Sequence, residues 1–430
     1  MGGMLQTIKN AWKIKELRKR ITFTILMLIV FRIGSHIPVP GLDAEKFRSL
    51  IAKGGQLFSY MDIIAGGALS NVTIFAMSIT PYINASIIIN LLTVAIPKLE
   101  RLAKEGEEGR KVIAKYTRYL TVILGFIQAT ALYFGMRSAV NEGNAVLSFI
   151  TITLTFSAGT AFLMWLGEQI TEYGIGNGIS LIIFAGILSR VPQEIITMAR
   201  LFIAGAMGTG IYRIIILVLI ILVFLAVIAA VIWVQEAERR IPVQYAKRVV
   251  GRKVYGGQNT YLPIKVNMAG VIPIIFAMSI MAFPSTLISF FAPNSTNPIV
   301  LWFSNIQETG WYAVIYALLI IFFTFFYTMI QFNPIEVANN MKKNGGFIPG
   351  IRPGKPTADY ISRVLNRITW FGGIFLALIT ILPNILGIVF SIQGIWFSGT
   401  AILILVGVAM DTVKQIESHM LMRHYKGFLE

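Results

Sequence analysis

The chain's only imidazoles are His36, His419 and His424, and cysteine is absent. That inventory builds neither a metal-ligand set nor a thiol nucleophile. No Ser-His-Asp set, HExxH helix, phosphate-binding loop or dinucleotide fingerprint occurs. Glu168, Glu172 and Asp411 fall at the ends of apolar runs rather than at their centres, so no buried carboxylate relay is available for proton coupling. Arg32 is the one charge well inside an apolar run, and it either snorkels to an interface or has a function. The expectation is no catalytic residue, no metal and no cofactor. Any energy source must come from a partner or from the membrane potential.

The elements that carry these residues are apolar. Of 430 residues, 56% are apolar and 13% are charged, and the mean hydropathy is +0.72. A soluble domain carries about 25% charged residues. A disordered chain, a coiled coil and an ordinary soluble enzyme are thereby excluded, leaving an all-α polytopic membrane protein. Ten stretches are candidate spans, with cores near 21–39, 72–96, 119–136, 146–167, 175–188, 214–234, 268–292, 311–332, 368–390 and 393–410. Most reach the roughly 20 residues that cross about 30 Å of hydrocarbon. Trp12, Trp233, Trp302, Trp311 and Trp370 lie near predicted ends, as interfacial belts require.

Net charge is +17. With the N-terminus inside, 29 Lys and Arg fall on inside segments and 7 on outside ones, which fixes both termini as cytoplasmic. Residues 1–20 read as an amphipathic helix on the membrane surface, with Leu5, Ile8, Trp12 and Leu17 roughly on one side. Five spans precede the 190–213 loop and five follow it, so the second half starts from the opposite side, a topology that permits an inverted repeat.

Several features interrupt the apolar pattern. Residues 60–71 (YMDIIAGGALSN) are too short to cross, and form either an interfacial loop or a re-entrant half-helix shielded from lipid by protein. Pro81, Pro273 and Pro284 are placed inside the second and seventh spans, where proline kinks a helix. Ser78, Thr80, Asn84, Ser86, Asn90, Asn177, Ser180 and Asn267 make either interhelical hydrogen bonds or a polar seam between separable helices. The basic inside loops 235–266 and 333–367 alternate apolar and basic residues and carry Gly-Gly pairs. They read as ordered, hairpin-like projections for an anionic partner, with contact to lipid headgroups as the plainer alternative.

These residues resemble the SecY family, the channel subunits of bacterial protein export. The resemblance is carried by FRIGSHIPVPG (31–41), ITPYINASIIINLLTVAIPKLE (79–100), GEQITEYGIGNGISLIIFAGI (167–187), the run RRIPVQYAKRVVGRKVYGGQNTYLPIKVNMAGVIPIIFA (239–277), GFIPGIRPGKPT (346–357) and GTAILILVGVAMDTVKQI (399–416). It implies ten transmembrane helices in two inverted five-helix halves around an hourglass pore with a plug and a lateral gate. After the helix at 1–20, the halves are 21–200 and 201–430, with docking loops at 235–266 and 333–367.

By motif, the pore ring falls on Ile83, Ile87, Ile179, Ile183, Ile275 and Ile404. The plug corresponds to about 60–71, including Ile63, Ile64, Gly66, Gly67 and Leu69. The lateral gate takes Thr80, Asn90, Asn177, Asn267 and Phe283, with Asn90 where the family usually has Gln. Docking of a motor or ribosome falls on Arg240, Lys247, Arg248, Arg252, Lys253 and Arg352. Implied partners are the SecE and SecG small subunits, the SecA ATPase, the ribosome, preproteins with their signal sequences, and membrane lipids. The implied function is passage of unfolded polypeptides across the bacterial cytoplasmic membrane and lateral release of apolar segments. The implied protein is not an enzyme and binds no nucleic acid sequence-specifically. The other class in contention is a secondary transporter for a small solute.

Overall fold

The computed structural model describes residues 4–47, 62, 65–141, 144–204, 211–245, 248–250, 253–255, 259–291, 310–389 and 399–426. Within these, thirteen helices and five strands organise the chain. They are α1 (Met4–Lys13), α2 (Lys15–Gly34), α3 (Thr80–Ala95), α4 (Pro97–Lys104), α5 (Glu107–Gly135), α6 (Ala145–Tyr173), α7 (Gly178–Ile203) and α8 (Ile211–Glu236). Then follow β1 (Glu238–Tyr245), β2 (Arg248–Val250), β3 (Lys253–Tyr255), β4 (Asn259–Lys265), α9 (Ile272–Phe291), α10 (Gly310–Gln331), α11 (Pro334–Lys343), β5 (Gly346–Phe347), α12 (Lys355–Val389) and α13 (Gly399–Lys426). A short 3-10 turn follows α5.

Each of the ten apolar stretches carries a helix. Six described helices are long and apolar enough to cross by themselves, and α3 with α4 passes as a pair bent by 103°. The bend falls at Ile96–Pro97, where proline cannot continue the preceding ladder. Polar groups inside these helices are mostly satisfied locally. Thr24, Thr117, Thr121, Thr324, Thr369 and Thr380 each donate to the carbonyl four residues back, at 2.7–3.0 Å. These six hydroxyls thus avoid the cost of an unmade hydrogen bond without any partner helix, whereas those of Thr130, Thr153 and Thr160 are buried without a partner among the described residues.

The chain divides into two compact units. One comprises Met1–Arg200, Ala282–Gln307 and Ile404–Glu430, the other Leu201–Met281 and Glu308–Leu403. In the first, α3 packs on α5, α5 on α6, and α2 on α6. The N-terminal segment is two helices broken at Ile14, not one amphipathic rod. Ala11 and Leu17 pack with Ile175 and Ile416, while Trp12 is exposed, so protein covers part of the face expected to lie on lipid. The side chains of Leu5 and Ile8 lie outside the described residues.

In the second unit, α10 packs on α12, and a three-stranded sheet of order β4-β1-β5 stands on α11 and α12. The antiparallel register sets Arg239 opposite Ile264, Ile241 opposite Leu262, and Gln244 opposite Phe347. Alternation along β1 buries Ile241 and Val243. With Ile264, Met341, Ile348, Ile361 and Leu365 they form a closed apolar core. Asn333 caps α11, its Oδ1 accepting from Ile335 N–H at 3.1 Å.

Candidate functional site

Three groups of residues are drawn from these elements: aliphatic positions on helices, an irregular segment against one of those helices, and the sheet platform.

Ile83 and Ile87 are one helical turn apart on α3 and half-buried. On α7, Ile183 is buried and Ile179 is half-buried. A Cβ placed on Gly167 would lie 2.4 Å from Ile179 Cδ1, so the tip of Ile179 reaches α6. Ile404 on α13 is buried within the first unit, and Ile275 on α9 is half-buried in the second.

The second predicted span, 72–96, is helical only from Thr80, because Pro81 starts α3 instead of kinking it. Pro273 likewise stands at the start of α9, while Pro284 lies within it. Residues 65–79 form consecutive turns. Val39 N–H donates to Val72 O at 2.9 Å and Ile74 N–H to Ile37 O at 3.0 Å, pairing the segment with the strand-like 37–39. Phe75 stacks between Phe31 and Phe162, with ring centroids 6.1 and 5.9 Å apart. Room for it comes from Gly34 and Gly159, where a Cβ would lie 2.0 Å from the Phe75 ring and from Ile74 O respectively.

Two non-glycine residues here have left-handed backbone, Val72 (φ +50°) and Ser78 (φ +51°). Such conformations cost on the order of 1–3 kcal/mol each and gather at parts that change conformation. Ser78 Oγ is also buried without a partner among the described residues.

Of the expected plug residues, Leu69 is fully buried and Gly66 and Gly67 are left-handed (φ +65° and +84°). A Cβ on Gly66 would lie 2.8 Å from Gly186 Cα, so only glycine permits this approach to α7, less than one turn beyond Ile183. Ile63 and Ile64 lie outside the described residues.

The expected gate positions diverge. Thr80 is half-buried and Asn90 exposed. Asn177 is exposed and caps α7, its Oδ1 accepting from Ser180 N–H at 3.1 Å. Asn267 Oδ1 is buried without a partner among the described residues. Phe283 lies on α9, and its side chain is outside the described residues.

On the platform, Arg240 is exposed on β1 with its Nε 2.7 Å from Glu238 Oε1. Arg248 and Lys253 belong to the β2–β3 hairpin, their side chains being outside the described residues, as Lys247 and Arg252 are entirely. Arg352 is exposed between the left-handed Gly350 (φ +79°) and Gly354 (φ +102°), and Thr357 Oγ1 holds its carbonyl at 2.9 Å. The second loop is a helix, a short strand and the start of α12 rather than a hairpin, and β5 joins it to β1. Strands β1 and β4 of the first expected projection thus share one sheet with β5 of the second, while β2 and β3 form a separate two-stranded sheet. In the first unit, the Lys104 ammonium on α4, 2.6 Å from Glu100, holds that carboxyl below its ordinary pKa.

The SecY family profile matches residues 73–413. The chain is 49% identical to the protein translocase subunit SecY of Halalkalibacterium halodurans, covering 99% of this chain and 100% of that one. It is 48% identical to the subunit of the same name from Thermotoga maritima, covering 99% and 98%. The chain belongs to the SecY family.

Among solved structures, it is similar to a protein conducting channel (TM-score 0.65, 19% identity, 93% of this chain and 92% of that one). It is similar, over the same shares, to a SecY whose plug domain is described as stabilising the closed state and maintaining a membrane seal (TM-score 0.63, 19% identity). A third match is Sec61 in a canine ribosome-channel complex (TM-score 0.62, 18% identity, 93% and 92%). At these identities the likeness is one of fold.

Within this SecY-family chain, sequence reasoning missed a polar cluster. Arg190, assigned to an outer loop, lies on α7, because that helix runs through Pro192 to Ile203. It pairs with Asp62. Arg32, left between snorkelling and function, donates from Nη1 to Gly66 O at 3.2 Å. An acid in 60–71 and two arginines in or beside outer span ends were the only signals, and a single sequence does not pair them.

Proposed function

We infer that this chain is a protein-conducting channel, the SecY subunit of a translocase, which passes unfolded polypeptides across a membrane and is not itself a catalyst. The observation that carries the reading is the turn segment 65–79, strained and glycine-fitted, against the helix that bears Ile179 and Ile183, in a chain matching SecY subunits end to end. A solute transporter is not favoured by those matches.

Finer features belong to the same proposal. The isoleucines at 83, 87, 179, 183, 275 and 404 form the constriction, since an apolar ring resists ions by dewetting yet yields to a passing chain. Residues 60–71 plug it. Thr80, Asn90, Asn177, Asn267 and Phe283 line a lateral gate between inverted halves 21–200 and 201–430. Segments that leave through it gain about 0.3–0.6 kcal/mol per Leu-like residue. The platform residues Arg240, Lys247, Arg248, Arg252, Lys253 and Arg352 face the cytoplasm and dock the SecA motor or a ribosome, with SecE and SecG as small subunits. Both termini are cytoplasmic in a bacterial inner membrane, as the lysine and arginine bias supports.

The test is site-specific photocrosslinking of a stalled preprotein. Probes at Ile83 and Ile275 are expected to label it. Labelling confined to exposed positions such as Leu222 would reject the pore assignment.

A further inference from the structure

Arg32, Arg190 and Glu194 have no role in the reading so far, yet with Asp62 they gather at one tip of the turn segment. Asp62 is buried, with 5% of its side chain exposed, and both of its carboxylate oxygens are engaged. Ser70 N–H donates to Oδ1 at 2.7 Å, and Arg190 Nη1 donates to Oδ2. Nearby, the Gly66 carbonyl accepts from Arg32 Nη1 at 3.2 Å and from Ser189 Oγ at 3.4 Å. Asp62 and Gly66 are therefore gripped by polar groups of both α2 and α7.

The neighbouring stretch is held differently. Residues 72–79 are keyed by the Phe75 ring and by two backbone hydrogen bonds to 37–39, one of them accepted by Val72 O, and Thr73 N–H and Oγ1 both donate to Ala68 O at 3.0 Å. Val72, with its left-handed backbone, sits where the two kinds of attachment meet.

Arg190 has a second acceptor. The Glu194 carboxylate lies one turn along α7, 4.0 Å from Arg190 Nε, with only 13% of its side chain exposed. Removing one member of a buried ion pair ordinarily strands the other, which is where most of the cost arises. A guanidinium has donors enough for both acids, so it can leave Asp62 without being stranded.

We propose that Arg190 is the arm of a two-position clasp: paired with Asp62 it seats the tip formed by Asp62 and the turns 65–71, and on release it passes to Glu194, with Val72 as the joint and 73–79 as a fixed stem. Arg32 is the second, uncharged-acceptor grip. These are positioning residues. The inference deepens the reading of 60–71 as a plug and rests on it.

The chain has no cysteine, so a spin-label pair at Ser70→Cys and Leu188→Cys is unique. The distance between the labels is read by electron–electron resonance in the complex with its small subunits in lipid, alongside resting ion conductance. Arg190→Gln and Asp62→Asn are expected to raise the displaced fraction by about tenfold or more, and Arg190→Lys to raise it less. Glu194→Gln acts in the opposite direction: more signal peptide is needed to displace the tip than in the parent. A merely structural role would not give opposite signs for two neighbours on α7. Displacement with unchanged conductance supports the clasp and removes the plug reading. An unmoved distance in both Arg190→Gln and Asp62→Asn, or Glu194→Gln displacing the tip as Arg190→Gln does, overturns the clasp.

Discussion

The turn segment of one unit and the sheet platform of the other are held by different kinds of force. The segment 65–79 has two strained non-glycine residues, a buried hydroxyl with no partner among the described residues, and a tip gripped through charged side chains. The platform has a continuous antiparallel register and a core of buried apolar residues, and its buried hydroxyl, Thr357, donates to Arg352 O at 2.9 Å. On the proposed reading of 60–71 as a plug, strain and exchangeable polar contacts suit a part that moves between two arrangements. A close-packed core deforms little, which suits the proposed docking platform. A single chain thus separates the yielding element from the rigid one.

This contrast can be broken in several ways. The largest effect is expected from Ile264→Ala, which leaves a cavity in the platform core where Ile264 is now fully buried. A loss of about 2–5 kcal/mol in local stability follows from that class of substitution. Limited proteolysis of the purified chain should show early cleavage within 238–265, and an unchanged pattern would mean the sheet is not the rigid part. Arg352→Glu is expected to leave expression and insertion intact while abolishing motor-driven export, because it reverses a charge on a fixed turn without touching the core. Normal export by this variant would remove Arg352 from docking.

Gly66→Ala should cost on the order of 1–3 kcal/mol, from its positive φ and the close approach to Gly186. In the yielding element that cost is expected to appear as higher resting ion conductance, not as unfolding. A sealed channel with a lowered melting temperature would place Gly66 with the structural glycines. The smallest effect is expected from Glu238→Ala, since an exposed pair such as Arg240–Glu238 contributes about 0–1 kcal/mol. Thermal stability should hardly change, while the freed Arg240 strengthens salt-sensitive binding of an acidic partner. Weaker binding would show that the pair orients Arg240.

How much of this was legible depended on range. The apolar runs carry their own signal, so α8 could be read directly, and lysine and arginine counts gave an orientation. Local chemistry misled where proline and glycine act at element ends. Pro81 and Pro273 were read as kinks, but each stands at a helix start, where its missing N–H costs nothing. The 190–213 loop was overdrawn, because α7 continues through Pro192 to Ile203.

The isoleucine and docking positions came from motif resemblance. No spacing in one sequence distinguishes a pore isoleucine from a lipid-facing one. The clasp was invisible for another reason: Asp62 and Arg190 are 128 residues apart, and each alone reads as a solvated charge. The joining of both basic loops into one sheet was hidden likewise, because β5 has only two residues, too few for an alternation pattern.

The decisive measurement is the ion conductance and ATP-driven preprotein uptake of proteoliposomes holding this chain with its partners, compared with a variant in which all six ring isoleucines, 83, 87, 179, 183, 275 and 404, are replaced by glycine. Higher ion leakage with altered uptake is predicted. A variant as tight as the parent and equally active in uptake would contradict the aliphatic seal, and with it the reading of these residues as the pore.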